Sequence, residues 1–388
     1  MQISLPPKLL FKSLVLSAFL AVGLLLLLPN APKAEGAYQS DQHKFKVVSY
    51  VENLQYPWGM AFLPSGDMLV TEKSSRQLRL IQNGKLVASP ISGLPSNIDA
   101  GGQGGLLDVT VHPNFKENKF VYVSYSGTGK GGKGTEVARG KLVGNKLEDL
   151  KVIFKVSPKT GGSHHYGSRL QFAKDGTLFI TTGDRYSYLK ESQNPSNHLG
   201  SVLRINDDGS IPKDNPFVNH PKYKPEIYSF GHRNAQGLTL NKQDNSLWLH
   251  EHGPRGGDEL NKLDKPGANY GWPKVTYGID YSGAIISNKT EAPGITPPVV
   301  YWKPSIAPSG MSFYSGDKFP KWTNNLFVGA LSGAHLRRLV FEGDRVVKQE
   351  ILLKDTARFR DVKTGPDGFI YLLTDDSDGQ ILRLEPSQ

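Results

Sequence analysis

The 388-residue chain has no cysteine. That absence removes disulfides, thiolate-ligated zinc and a covalently attached c-type haem together. Heptad patterning is also missing, which excludes coiled coils and long helical bundles. The formal charge is +10, yet no basic stripe interleaved with aromatics occurs, so the excess of Lys and Arg does not read as a nucleic-acid surface. Long apolar runs are limited to one, close to the first residue.

That run, Ser13 to Leu28, follows Lys8 and Lys12 and is trailed by Ala31, Ala34 and Ala37. A positive flank, an apolar stretch and small residues are the order of a secretory leader. Residues 1–37 therefore read as a signal peptide with a short linker, or as an uncleaved N-terminal membrane anchor. Either form exports the body of the protein, residues 38–388, to a periplasm or cell surface. A disulfide-free exported protein has to draw its stability from a large core.

What is abundant is punctuation: 42 glycines and 26 prolines, with a hydrophobic share of 38%. They frame a recurring unit of apolar strand, Pro/Asp/Gly turn and second apolar strand. It begins at Gly59 (GMAFLPSGDMLVT), Asp108, Arg169 (RLQFAKDGTLFITTG), Gly237, Gly310 and Asp361 (DVKTGPDGFIYLLTD). About six copies at a spacing of roughly 50–70 residues fall in the range of propeller blades. A hairpin cannot bury its apolar face alone, so the units must stack. The predicted fold is all-β: a six-bladed β-propeller with four-stranded antiparallel blades around a central channel. A β-sandwich with insertions explains the regular repeat less well.

The segments before the copies, such as NIDAGGQGG, TGGSHHYGS, YSFGHRNAQ, PSIAPS and TARFRD, carry Gln, His, Arg, Asn and Ser toward the expected channel mouth. His165 could serve as a general base at neutral pH, with Asp184 at the end of the returning strand orienting its imidazole. Arg233 with Asn234, and Arg358 with Arg360, suit a polyanionic small molecule, because paired guanidiniums bind carboxylates in bidentate fashion. GTGKGG, Gly127–Gly132, matches a dinucleotide pattern but leads into another strand, which removes the helix that a phosphate site needs.

The densest segment is LHEHGPRGGDELN, Leu249–Asn261. Its two histidines at i, i+2 would lie on one face of a strand, but zinc needs a third ligand. Phosphate would want a helix N-terminus. Calcium prefers hard oxygens, which the Gly253 and Pro254 carbonyls and the Asp258 and Glu259 carboxylates can offer. A solvated turn is the plain alternative.

Taken together, PWGMAFLPSGDMLVTEK, GGQGGLLDVTVHPNF, HHYGSRLQFAKDGTLFITTGDR, GHRNAQG, EHGPRGGDELN and NYGWP resemble the soluble aldose sugar dehydrogenases that use pyrroloquinoline quinone (PQQ). The resemblance implies oxidation of an aldose to a lactone, with PQQ and calcium as cofactors and an external acceptor, a cytochrome or quinone, for the electrons. It puts the catalytic base on His165 rather than His164, and cofactor contacts on Gln103, Arg233, Asn234, Arg358 and Arg360. Ser305, in the PSIAPS loop, is assigned to the cofactor side with them. It implies a catalytic calcium on Gly253 and Pro254 and a structural calcium on Glu259 and Tyr270. Two positions depart from the family pattern: His164 stands where some relatives are acidic, and Ser332 where a lysine often faces the quinone. The rival readings are a calcium-dependent propeller lactonase and a propeller that only binds a partner.

Overall fold

Each copy of the repeat opens on a strand that takes the innermost place in a blade. This is seen in a computed structural model, which describes residues 35–387; the leader reading, over residues 1–34, lies outside the described residues. Blade 1 comprises Pro57–Phe62, Met68–Glu72, Gln77–Gln82 and Lys85–Leu86; blade 2 comprises Leu106–Val111, Phe120–Gly129, Gly132–Val143 and Lys146–Lys155. Blade 3 is built from Leu170–Phe172, Leu178–Thr181, Ser201–Ile205 and Ile227–Phe230; blade 4 from Ala235–Leu240, Leu247–Glu251, Asp258–Lys262 and Val300–Trp302. Blade 5 runs Pro308–Phe313, Leu326–Ala330, His335–Glu342 and Arg345–Leu352. The glycine run 127–132 is the tip of the long hairpin in blade 2, as its sequence context requires.

The six blades follow the expected four-stranded plan, and blade 6 adds one strand at its edge. Phe359–Thr364, Ile370–Thr374 and Gly379–Pro386 are followed by Lys44–Leu54 and then Gly36–Gln39, drawn from the other end of the chain. The pairing Val47↔Leu384 to Leu54↔Gly379 closes the ring with main-chain hydrogen bonds, and Gly36–Gln39 adds a fifth, outer strand. That edge strand takes in Gly36 and Ala37, two residues earlier than the sequence-based boundary.

Burial falls from the inside of each blade outward, and the residue types follow it. Second strands such as Leu247–Glu251 and Ile370–Thr374 are buried at every position, whereas the outer strand Arg345–Leu352 exposes most of its side chains. The six larger apolar clusters each straddle two neighbouring blades. Leu69 and Leu78 of blade 1 meet Leu106 and Val121 of blade 2, and Met60 and Val70 meet Leu373 and Ile381 of blade 6. No blade has a core of its own, so stability resides in the joints between blades.

The inner strands touch in sequence round the ring, blade 6 against blade 1 included. At the axis they place small and charged residues. Gly59 and Gly310 leave room that Asp108 and Asp361 occupy, and Gly237 faces the His250 ring; a Cβ on Gly59 would stand 2.5 Å from Asp108 Oδ1. Buried Arg169 pairs with Asp108 Oδ1 at 3.4 Å and Asp361 Oδ1 at 3.2 Å. Its Nε donates to the Gln236 carbonyl (2.7 Å), one terminal nitrogen donates to the Arg360 carbonyl (3.1 Å), and the guanidinium lies 4.1 Å from the Trp58 ring centroid. One side chain from blade 3 thus touches blades 1, 2, 4 and 6. Arg169→Met would strand two buried carboxylates, and such a loss costs about 3–5 kcal/mol. Urea unfolding should show that drop in the wild-type background and a much smaller one when Asp108→Asn and Asp361→Asn are also present; equal drops would refute the charge knot.

Candidate functional site

Five of the six inner strands begin with a register shift against their neighbour: between Pro57 and Met60, Leu106 and Val109, Ala235 and Gly237, Pro308 and Met311, and Phe359 and Asp361. A β-bulge inserts residues that the partner strand does not match, and so re-aims side chains at a sheet's rim. Here the residues in the shifts include Trp58, Leu107, Gln236 and Arg360, and all four line one cavity of about 370 Å³. Gln103, Asn234, His252, Ser332 and Arg358 complete much of its wall. A larger hollow, about 900 Å³, opens by the far ends of the inner strands, past Phe62, Val111 and Thr364, and holds none of the site residues expected from the sequence.

His165 stands beside this cavity rather than on its wall, and Gln103 joins the two: its Oε1 accepts the His165 main-chain N–H at 2.8 Å while the side chain lines the cavity. His165 Nδ1 is 2.6 Å from Asp184 Oδ1. The other Asp184 oxygen accepts Trp272 Nε1–H at 2.8 Å, and Oδ1 also accepts the Tyr186 N–H at 2.8 Å. Burial pushes the imidazole below the ordinary histidine range; Asp184 pulls it upward and the Arg233 charge down again. Burial would raise Asp184, but its hydrogen bonds and the charges of His165 and Arg233 hold it below the usual carboxylate range. The pair is therefore a neutral imidazole against an ionised carboxylate. The proton sits on Nδ1, and Nε2 keeps its lone pair.

Arg233 reaches across to the segment quoted above: its Nη1 donates to the Gly253 carbonyl at 2.6 Å and to the His252 carbonyl at 3.2 Å, and the guanidinium stacks 5.3 Å from the Trp272 centroid. Asn234 Oδ1 accepts the Gly167 N–H at 3.1 Å, tying blade 4 to the His165 loop. Arg358 and Arg360 both grip Asp375, at 2.9 and 3.0 Å. His252 Nε2 lies 2.6 Å from the Pro308 carbonyl, and burial pushes its pKa down to about 3.

Two side chains are placed differently from their sequence reading. Asp258, offered as a calcium ligand, is saturated by protein donors: Gly253 N–H (2.9 Å) on one oxygen, Ser305 Oγ–H (2.7 Å) and Ile306 N–H (2.8 Å) on the other. Ser305, assigned to the cofactor side, spends its hydroxyl on that carboxylate and is absent from the cavity wall. Glu259 and Tyr270 lie together on a separate cavity of about 350 Å³. Burial and the neighbouring Glu251 push the Glu259 carboxyl well up, as two carboxylates without a cation between them require.

Three contributors went unread in the sequence: Trp272, Asp375 and Lys73, the last also on the cavity wall. A signal existed for the acids. Aligned on the repeat, Glu72, Asp184, Glu251 and Asp375 all stand at or just beyond the end of a second strand.

The sequence profile of the glucose/sorbosone dehydrogenase family matches residues 54–383. The chain is 43% identical over 341 residues to aldose sugar dehydrogenase YliI of Escherichia coli K12, covering 86% of this chain and 91% of that one. It is 28% identical over 432 residues to quinoprotein glucose dehydrogenase B of Acinetobacter calcoaceticus, covering 89% and 88%. Among solved structures, the apo-form soluble aldose sugar dehydrogenase from Escherichia coli superposes with a TM-score of 0.84 at 42% identity, over 88% of this chain and 100% of that one. The PQQ-bound aldose sugar dehydrogenase from Streptomyces coelicolor does so with 0.74 at 26% identity, over 90% and 100%.

The electrostatics of the His165–Asp184 pair give a direct expectation. In an NMR titration His165 should take up its proton below the ordinary histidine value of about 6.5. Asp184→Asn removes the group that pulls the pKa upward, so the midpoint should move lower still; an upward move would show the assigned charge states to be wrong.

Proposed function

The chain belongs to the glucose/sorbosone dehydrogenase family, and we propose that it oxidises aldose sugars at the anomeric carbon to lactones with PQQ and calcium. Gln103 carries this reading: it lines the cationic cavity and accepts the His165 main-chain N–H, which joins the imidazole loop to that wall.

The residues suit the two cofactors. The cavity wall carries Lys73, Arg358 and Arg360 against a single carboxylate, Asp375, a positive excess that fits a tricarboxylate quinone. Gly253 presents its carbonyl to a cation already, the Arg233 guanidinium, and the carbonyl of buried Pro254 accepts no hydrogen bond from the described residues. Among the described residues no trio of His, Asp, Glu or Cys side chains forms a metal cage, so calcium here would rest on main-chain oxygens. Glu259, beside Glu251 and facing the Tyr270 cavity, is the electrostatically strained carboxylate that a structural calcium would relieve.

When bound, the calcium-held quinone supplies the electrophile that takes the hydride from the sugar carbon. The protein does the rest. His165 Nε2, kept unprotonated by burial and by the Asp184 bond to Nδ1, takes the proton of the anomeric hydroxyl. Asp184, fixed by Trp272 and the Tyr186 N–H, stabilises the imidazolium that results. Arg233, Arg358 and Arg360 lower the free energy of negative charge in the cavity. Electrons then leave to an external acceptor, a cytochrome or quinone. An exported protein, periplasmic or extracellular, meets both sugar and acceptor there. The cationic wall also favours this reading over a lactonase, which needs no anionic quinone.

Apoprotein given PQQ and calcium should reduce an artificial dye with glucose. His165→Ala should lose about 10²–10⁴ of that rate while titrating the same amount of PQQ; retention of the rate would remove His165 from the chemistry. Calcium should raise the melting temperature of the wild type more than that of Glu259→Gln, whose calcium-free form should melt no lower than the calcium-free wild type. A calcium-induced rise in that variant equal to the wild type's would place the structural ion elsewhere.

A further inference from the structure

Of the three cations on the wall of the 370 Å³ cavity, two are already matched: Arg358 and Arg360 share Asp375. Lys73 is not. Among the described residues its Nζ has neither an ion pair nor a hydrogen bond, and it lies 5.8 Å from the Tyr56 ring centroid. The side chain is half-buried. Burial and the nearby charges of Arg360 and Arg358 push its ammonium below the ordinary lysine range, and only Asp375 acts in the other direction.

The lysine is held in this unfavourable place by its backbone. It follows directly on the strand Met68–Glu72, its N–H donates to the Tyr56 carbonyl (3.1 Å) and its carbonyl accepts the Leu106 N–H (3.3 Å). Gly105, with φ +143°, presses against the same residue; a Cβ there would collide with the Lys73 carbonyl and stand 2.7 Å from its Cγ. Glycine at 105 therefore lets two blades close on the base of the lysine and aim its stem into the cavity. On the blade 5 side the wall offers only the hydroxyl of Ser332. A half-buried cation beside two others, with no anion of its own, is arranged for an anion that arrives from outside.

We propose that Lys73 is an anion-binding residue of this cavity, whose ammonium seats a carboxylate of the quinone. The inference rests on the functional reading above and adds blade 1 to the blades that hold the cofactor. It also assigns the wall a division of labour. Arg358 and Arg360 are pre-paired and rigid, whereas Lys73 gains its first partner on binding, so it should contribute most to affinity.

Equilibrium titration of calcium-loaded apoprotein with PQQ, followed by quenching of tryptophan fluorescence, tests this without turnover. Trp58 on the cavity wall provides the signal. Lys73→Gln should weaken PQQ binding about tenfold or more, and Lys73→Arg should recover most of it. The trimethyl ester of PQQ, which lacks carboxylate charge, should bind wild type and Lys73→Gln alike. Loss of an unpaired cation beside two others should leave the melting temperature of the apo variant unchanged or raised, which separates weaker binding from misfolding. Equal PQQ affinity in wild type and Lys73→Gln, or the same penalty with the ester, overturns the assignment while the functional reading stands. Failure of the wild type to bind PQQ overturns the functional reading, and the role of Lys73 with it.

Discussion

The buried Arg169 guanidinium is the contact on which the site stands. It immediately precedes the strand that leaves the His165 loop, four residues beyond His165, and it fixes that strand against blades 1, 2, 4 and 6 at once. The groups it touches are not remote from the cavity: Trp58, Gln236 and Arg360 are contacts of Arg169 and also residues of the cavity wall. The charge knot is thus the floor of the site. A floor made from ions instead of aliphatic packing gives weak net stabilisation but a strong penalty for any arrangement that leaves one ion unmatched. The six blades are then held in one relative position, and the loops they carry are held with them.

Above that floor the same repeat position is used for different electrostatic work. Glu72 accepts from the Gln55 N–H and pairs with Arg79, Asp184 polarises His165, Glu251 bonds His232 and the Arg233 N–H, and Asp375 neutralises part of the Arg358 and Arg360 charge. An acid at the end of a second strand sits under the loop that enters a neighbouring inner strand, which is where the functional side chains lie. The repeat supplies position; the partner decides the chemistry. Asp184 is held ionised because its partners are donors and cations. Glu259, one strand away from Glu251, is driven the opposite way because its neighbour is another acid.

The fold was legible where local pattern determines structure, and illegible where the partner is distant. Six hairpins could be read because period-two alternation and turn residues are local signals. The strand that closes blade 6 could not, because nothing within KFKVVSYVENL names Gly379–Pro386 as its partner. The site divides likewise. Gln103, His165, Arg233 and Arg358 sit in polar, glycine-flanked loops and stand out. Trp272 looks like core until its indole N–H is found on Asp184, and Lys73 looks like surface until blade 2 closes over its base. Asp258 was misjudged for a related reason: an acid in a Gly-Pro loop resembles a metal ligand, but the loop needs it to collect the N–H groups of Gly253, Ile306 and Ala307. The bulges that turn Trp58, Leu107, Gln236 and Arg360 inward leave no local mark at all.

Four residues in the loops around the site carry strained backbone. His165, Arg185, Tyr186 and Ala307 all adopt φ between 47° and 66°, a region that side chains other than glycine disfavour. Each such residue costs about 1–3 kcal/mol and persists only where its surroundings over-determine it. Here they do. Arg185 donates to the Gly162 carbonyl at 2.9 Å and to the Thr160 hydroxyl at 3.3 Å, and its guanidinium lies 3.7 Å from the Tyr166 centroid; this clamps the His165 loop from behind. Asp184 accepts the N–H of Tyr186 with the same oxygen that holds the imidazole. The strained residues and the acid–imidazole pair therefore share their restraints, so relaxing one backbone angle would misdirect the His165 imidazole. Under the proposed reading, a base that takes the hydroxyl proton as a hydride leaves the adjoining carbon would need alignment beforehand, and the joints between blades supply the rigidity that a free loop would lack.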